Sequence, residues 1–333
     1  MINRRQFMAN LSVLPVLVAF PLHSIAAGIR RYELSAALAE YPLGGPDKPV
    51  SPLMLYNGKS PGPKLTARKG ETLEINFYNQ LDQPTSIHWH GIRNLNEMDG
   101  VANVTQPVVE PGEQFTYRFP VRDAGTFWYH AHNRSFEQVA RGLYGPLIVT
   151  DDEPQNNRRD ILLMADDWRL DADWRFDEAS IGSLHDWSHS GRLGNWLTVN
   201  GQSRPEIPIP QTGLLRLRFV NAANARVLSF QLSQKSPMQI IALDGAPCIP
   251  FNVDTLRLGP AQRADVIVQA GPDLGSLYEV TADDNFEAAR FVSKRASESV
   301  LANISTSPWY PYPDTKDAKL INIHMQGGAM GNL

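Results

Sequence analysis

From residue 28 onward the chain alternates short apolar segments with polar breaks. Thr72-Leu73-Glu74-Ile75-Asn76-Phe77-Tyr78 and Gln114-Phe115-Thr116-Tyr117-Arg118-Phe119 switch between polar and apolar with a period of two. Successive side chains of a strand point to opposite faces, so this period marks half-buried β-strands. The 25 prolines and 24 glycines punctuate the segments, and long amphipathic helical patterns are hard to find. The pattern predicts an all-β chain of sandwiches or barrels.

The pattern also repeats. The stretch from Gly70 through Ile75 and Phe77 to Asn79 aligns with Gly213 through Leu217 and Phe219 to Asn221, and Glu110–Phe119 resembles Leu258–Ile267. The offsets are about 140 to 150 residues, a domain-sized period that points to duplication of one β domain. The acidic, proline-bearing run Thr150–Asn157 follows a strand-like Pro146–Val149 and reads as a linker. Ser307–Asp314 is a proline-broken connector leading to the apolar and glycine-rich Leu320–Gly331, which looks like the approach to another domain.

The two copies differ in their chemistry. After its first strand, copy one reaches Ile87-His88-Trp89-His90-Gly91, whereas copy two has Ala222-Ala223-Asn224-Ala225-Arg226. After the second strand, copy one has Trp128-Tyr129-His130-Ala131-His132, whereas copy two has Leu277-Tyr278-Glu279-Val280-Thr281. A purely structural role for these histidines should have been duplicated with the fold, unless divergence erased it. In a strand, residues i and i+2 share a face about 6 to 7 Å apart, so each His-X-His pair aims two imidazoles in one direction. Two such strands side by side would converge four imidazoles, a donor set that suits copper, zinc, iron or nickel.

Composition narrows the rest. There are 31 basic and 35 acidic side chains, for a net charge of −4, so no basic excess is available to neutralise nucleic-acid phosphates. Cys248 is the single cysteine, which excludes an intrachain disulfide and a multi-cysteine zinc site. Residues 1–27 carry Arg4-Arg5, an apolar run Leu11–Leu22 and the small residues Ser24, Ala26 and Ala27. This reads as a signal peptide removed on export, short for a membrane span, with the arginine pair before Gln6 and Phe7 resembling a twin-arginine signal.

Around the histidines the chain resembles the multicopper oxidases, the group of laccases, copper-resistance protein A and bacterial cuprous oxidases. His88–Ile92 followed by Asp99-Gly100, and Trp128–His132 followed by Gly142–Val149, look like the first and second copper signatures. Val199–Gln202 and Leu256–Arg263 look like second-domain landmarks. The resemblance implies two tandem cupredoxin-like Greek-key β-sandwich domains, at 28–152 with copper ligands and at 153–306 without them, then a connector at 307–333. It implies a copper-dependent oxidoreductase that couples one-electron oxidation of a phenolic or metal-ion donor to reduction of dioxygen to water. By match, His88 would hold the type 2 copper, His90 and His130 one type 3 copper, and His132 the other. Asp99 is either the family's proton-feeding acid or a turn carboxylate in an Asp-Gly turn.

The resemblance is incomplete. The family's third domain supplies further cluster histidines and a His-Cys-His type 1 site, and neither motif occurs here. Cys248 has no histidine beside it and reads as a packed or turn cysteine. The expectation is therefore a periplasmic protein exported by the twin-arginine machinery, without stable membrane anchor. It would carry half of a three-copper cluster, lack the type 1 copper and third domain, and be inactive alone. The alternatives are a copper-binding or copper-resistance module and a copper-free scaffold of the same fold.

Other residues carry weaker signals. His185 and His189 could share a helical face or lie in a surface loop, and their Gly and Ser neighbours favour the loop. His324, Met325 and Met330 suggest a soft copper contact but read better as linker. Trp89, Trp128 and Tyr129 read as packing around the histidines.

Overall fold

In a computed structural model, residues 28–151, 160–233, 237–281, 285–293 and 313–324 are described. The 1–27 leader, most of the 150–157 linker, the end of the second copy, and Met325 and Met330 lie outside the described residues.

The first half contains β1 (Ile29–Tyr41), β2 (Ser51–Tyr56), β3 (Leu65–Arg68), β4 (Thr72–Asn79), β5 (Ile87–His90), β6 (Gln114–Pro120), β7 (Gly125–Ala131) and β8 (Tyr144–Thr150). They form two sheets, ordered β2-β1-β4-β6 and β3-β8-β7-β5. Burial along β4 alternates as its sequence predicts, with Leu73, Ile75 and Phe77 inside and Tyr78 exposed.

The second half repeats this plan in β9 (Asp160–Trp168), β10 (Trp196–Val199), β11 (Glu206–Ile209), β12 (Leu214–Asn221), β13 (Leu228–Leu232) and β14 (Met238–Leu243). It continues with β15 (Ala246–Val253), β16 (Leu256–Leu258), β17 (Arg263–Gln269), β18 (Ser276–Glu279) and β19 (Phe286–Ser293). Its sheets run β10-β9-β12-β17-β14-β15 and β11-β19-β18-β13-β16. β1 and β4 pair in parallel as β9 and β12 do, and β4–β6 is antiparallel like β12–β17. The β14–β15 hairpin extends one sheet beyond the repeat.

The duplication reaches single hydrogen bonds. Fully buried Asn79, closing β4, donates to the carbonyls of Gln83 and Val109 and accepts from the Leu81 N–H. Fully buried Asn221, closing β12, donates to the carbonyls of Arg226 and Leu258 and accepts from the Ala223 N–H. Each amide satisfies loop groups that would otherwise be buried without partners, at a cost of about 1–3 kcal/mol apiece.

Each half has its own apolar core, and a third cluster joins them. That cluster mixes Leu53, Leu55, Trp128 and Tyr144 of the first half with Met164, Trp168, Phe176 and Val220 of the second. A buried polar clamp lies beside it. Arg218 on β12 pairs with Asp265 on β17 at 2.9 Å and with Asp160 on β9 at 2.8 Å, and donates to Thr126 Oγ1 on β7 at 2.7 Å. The Thr126 hydroxyl donates in turn to Asp265 Oδ1. β7 is thereby fixed to the second half one strand length from its histidine. Among the described residues no helix is long and apolar enough to cross a membrane.

Candidate metal centre

β5 and β7 are antiparallel neighbours with His88 opposite His130 and His90 opposite Trp128. Strand alternation sends Trp89 and Tyr129 into the first core, where both are fully buried, and turns the even-numbered side chains to the other face. There the rings of His88, His90 and His130 lie 5.3 to 5.5 Å apart, and His132 stands 5.3 Å from His88. One ring nitrogen from each of His88, His90 and His130 falls within 4.8 Å of the others, and His132 is outside that set. His90 Nδ1 and His130 Nε2 are 3.3 Å apart.

The hydrogen bonds settle two tautomers. His88 Nδ1 contacts the Asp99 carbonyl oxygen at 2.8 Å and His130 Nδ1 contacts the Ala131 carbonyl at 2.9 Å. A carbonyl only accepts, so both Nδ1 atoms carry the proton; the His88 Nε2 keeps its lone pair, and that of His130 faces His90 Nδ1 at 3.3 Å as the acceptor. Asp99 closes the short 3-10 turn Asn96–Met98, as an Asp-Gly turn should, and its carboxylate lies 3.6 Å from His88 Nδ1. The turn residue and the histidine partner are thus the same residue. Gly100 beside it has φ +81°, and a Cβ there would meet the Ile87 carbonyl oxygen at 1.8 Å.

A cavity of about 490 Å³ opens over this face. The histidines, Trp128 and Val139 form one wall, and Ala222, Ala223, Ala225, Pro260 and Ala261 of the second half face them. The small residues that replace the histidine motif in copy two are therefore what leaves room opposite it. Trp128 lies against His130 at 4.4 Å and against His90 at 5.3 Å, and is 3% exposed, so it packs the imidazoles as the sequence suggested.

Arg263 of the second half is a contributor that sequence reasoning passed over. Gly91, directly after His90, has φ +87°, and a Cβ there would come within 2.2 Å of the Arg263 guanidinium. The glycine of the His-Trp-His-Gly run is required both by its backbone and by this cation. An arginine opening the strand-like run Arg263–Gln269 was the available signal, but its neighbour lies far away in sequence.

Burial holds His90 and His130 neutral. Burial pushes His90 down to about 3, helped by Arg263 and the neighbouring histidines. Burial likewise brings His130 to about 3, against a small opposing effect of the Ala131 carbonyl. His88 is lowered by burial, opposed by Asp99. Unfolded imidazoles take up protons near pH 6.5, whereas folded His90 and His130 do not until about pH 3. The unfolded state then binds more protons across that window, and stability falls as pH is lowered through it. Thermal melts of metal-free protein should accordingly show Tm dropping between about pH 6.5 and pH 3, with a flatter dependence in His90→Gln/His130→Gln. Neutral, converging imidazoles with fixed tautomers fit an imidazole-seeking transition metal such as copper.

The other candidates separate clearly. His185 lies on the short helix Leu184–Ser188 and His189 directly after it in a turn with non-helical backbone, both exposed, so the structure takes part of each alternative. His324 is exposed in the 313–324 segment, away from any named strand. Cys248, on β15, packs partly buried against the second core, and burial pushes its thiol up.

Comparison with known proteins agrees with this geometry. Residues 42–154 and 160–303 each match a domain family described as multicopper oxidase. Laccase-2 of Botryotinia fuckeliana is 31% identical over 300 residues, covering 85% of this chain and 49% of that protein. Multicopper oxidase MmcO of Mycobacterium tuberculosis is 31% identical over 290 residues, covering 78% and 55%. The chain thus spans about half the length of these curated relatives. The crystal structure of a multi-copper oxidase from Pseudomonas thermotolerans superimposes with a TM-score of 0.78 at 34% identity, covering 88% of this chain and 71% of that one. Two matched domains, a shared cupredoxin fold and paired His-X-His strands lead to one conclusion: the chain belongs to the multicopper oxidase family.

Proposed function

We propose that this chain is the ligand-bearing first part of an exported copper oxidase that takes electrons from a phenolic or metal-ion donor and passes them to dioxygen. The convergence of histidines on β5 and β7, with the Nδ1 protons of His88 and His130 held by backbone carbonyls, carries this reading. His88 would hold the type 2 copper, His90 and His130 one type 3 copper, and His132 the other. The 3.3 Å contact between His90 and His130 supports placing those two on a shared ion, and the greater separation of His132 supports assigning it elsewhere. When bound, copper supplies the redox and Lewis-acid chemistry for reducing dioxygen to water.

The protein's part is positioning and proton handling. The Asp99 carbonyl orients His88, and the Asp99 carboxylate, 33% exposed, can hold a proton beside it and pass it toward the cavity. Trp128 packs against the His90 and His130 rings and holds them in place. The two sheet pairs correspond on this reading to domains 28–152 and 153–306, with 307–333 leading to a third domain that brings the remaining histidines and the type 1 site. The unactivated thiol of Cys248, remote in sequence from any histidine, supports placing electron entry outside these residues. The Arg4-Arg5 leader supports twin-arginine export to the periplasm.

Oxygen uptake tests the proposal. Copper-loaded chain alone should consume no dioxygen above background with a phenol or cuprous ion as donor. It should gain turnover when a polypeptide bearing the remaining histidines and a His-Cys-His motif is supplied. Turnover by this chain alone would overturn the half-cluster reading.

A further inference from the structure

Among the described residues Arg192, Arg218 and Arg263 are the buried arginines. Arg218 is paired with Asp160 and Asp265, and Arg263 with Asp244 at 3.2 Å. Arg192 forms no ion pair with any described residue, and its Nε and Nη1 lack a hydrogen-bond partner among them. Its side chain makes one hydrogen bond, from Nη2 to Asn224 Oδ1 at 3.2 Å, and its guanidinium lies 5.8 Å from the Phe176 ring.

The carboxyl groups nearest to it are committed elsewhere or neutral. Asp186 is held by Arg169 at 2.8 Å, and Asp167 by Arg226 at 2.9 Å. Asp166 is buried, and burial together with the Asp167 charge pushes its carboxyl well up, toward the protonated form, against the pull of Arg192. An arginine keeps its charge in a protein, and a buried charge without a partner is costly. The charge on Arg192 is therefore left to be met by an anion from outside.

Arg192 and Asn224 both line the cavity. Because the Asn224 carbonyl accepts from Arg192, its amide nitrogen points away with donors to spare. Phe136, Val139, Trp187, Ala222, Ala223 and Pro260 make the rest of the lining apolar, with Phe136 and Trp187 in edge contact at 5.6 Å. About 490 Å³ of apolar space with a few polar groups is proportioned for a small organic molecule.

We propose that the cavity binds a small aromatic monocarboxylate, its carboxylate on Arg192 and Asn224 and its ring against the apolar lining. A guanidinium fork matches the geometry of a carboxylate, and charge-assisted hydrogen bonds of this kind are the strong ones. The site shares the cavity with the histidines but uses none of them, so it stands apart from the copper reading.

The test titrates the metal-free full chain with benzoate near neutral pH, by calorimetry. One benzoate should bind per chain, and methyl benzoate, which keeps the ring and loses the charge, should bind about tenfold more weakly or worse. Arg192→Met should weaken benzoate binding by a similar factor, and Asn224→Ala by about two- to tenfold. Arg192→Met also removes a buried cation that has no partner, so its melting temperature should hold or rise. A fall as large as that of a paired arginine would show the charge already met and would overturn the proposal. Equal affinity for methyl benzoate and benzoate, or benzoate binding unchanged in both variants, would overturn it as well. No metal takes part, so these outcomes are independent of whether the histidines hold copper.

Discussion

Replacing His90 and His130 together with alanine should abolish copper retention by the cavity. The two imidazoles come from different strands yet stand 3.3 Å apart at the nearest nitrogens, so the double substitution removes both sides of one ligand pair. Loss of even an outer partner typically costs 10–100-fold in metal affinity, so loss of two direct ligands should cost on the order of 10²–10⁴-fold or more. Thermal melts give the same answer without any assay of turnover. A ligand bound only by the folded state stabilises by about 4.1 kcal/mol when present at a thousand times its Kd, so copper should raise Tm in the native protein and leave the double variant unmoved. Equal copper-induced shifts in both proteins would remove the cavity from consideration.

Arg218→Met is the second large effect, and it acts through the joint between the halves. The guanidinium is 4% exposed and holds Asp265 and Asp160 together with the Thr126 hydroxyl. Burial alone would lower its pKa, but the two carboxylates more than offset this and raise it. Methionine keeps the volume and removes the charge, leaving carboxylates buried without their partner. Breaking a buried pair in this way costs about 3–5 kcal/mol. For a chain of this size each kcal/mol moves Tm by roughly 2–4 °C, so a fall of about 6–20 °C is expected. Arg218→Met/Asp265→Asn should lose less than the sum of its single changes, because the second change removes part of the orphaned charge. Since Thr126 and His130 lie near opposite ends of β7, the variant should also weaken copper binding, which separates this clamp from a surface ion pair.

Much of this was legible because it is local or repeated. Period-two alternation in Thr72–Tyr78 and Gln114–Phe119 became β4 and β6, and the Asn79 and Asn221 alignment became two copies of one hydrogen-bonded corner. His-X-His spacing already implied a shared face, since alternation in a strand leaves no other outcome. What stayed hidden depends on residues far apart in the chain. Thr126 and Asp265 meet across 139 positions, and Arg263 sits over Gly91 from the other half, so no local pattern could announce either. The Leu184–Ser188 turn was obscured for a different reason. Its Gly and Ser neighbours favour loops, but Ser183 serves as the cap and the Asp186–Arg169 pair holds the single turn against solvent.

The most direct test of the central claim is copper-edge X-ray absorption on the copper-loaded chain, compared with its His130→Ala variant. The expected spectrum shows copper bound by imidazole nitrogens without copper–sulfur scattering, and the variant loses part of the imidazole signal. Copper–sulfur scattering, or an imidazole signal unchanged by removing His130, would contradict a copper site built on β5 and β7.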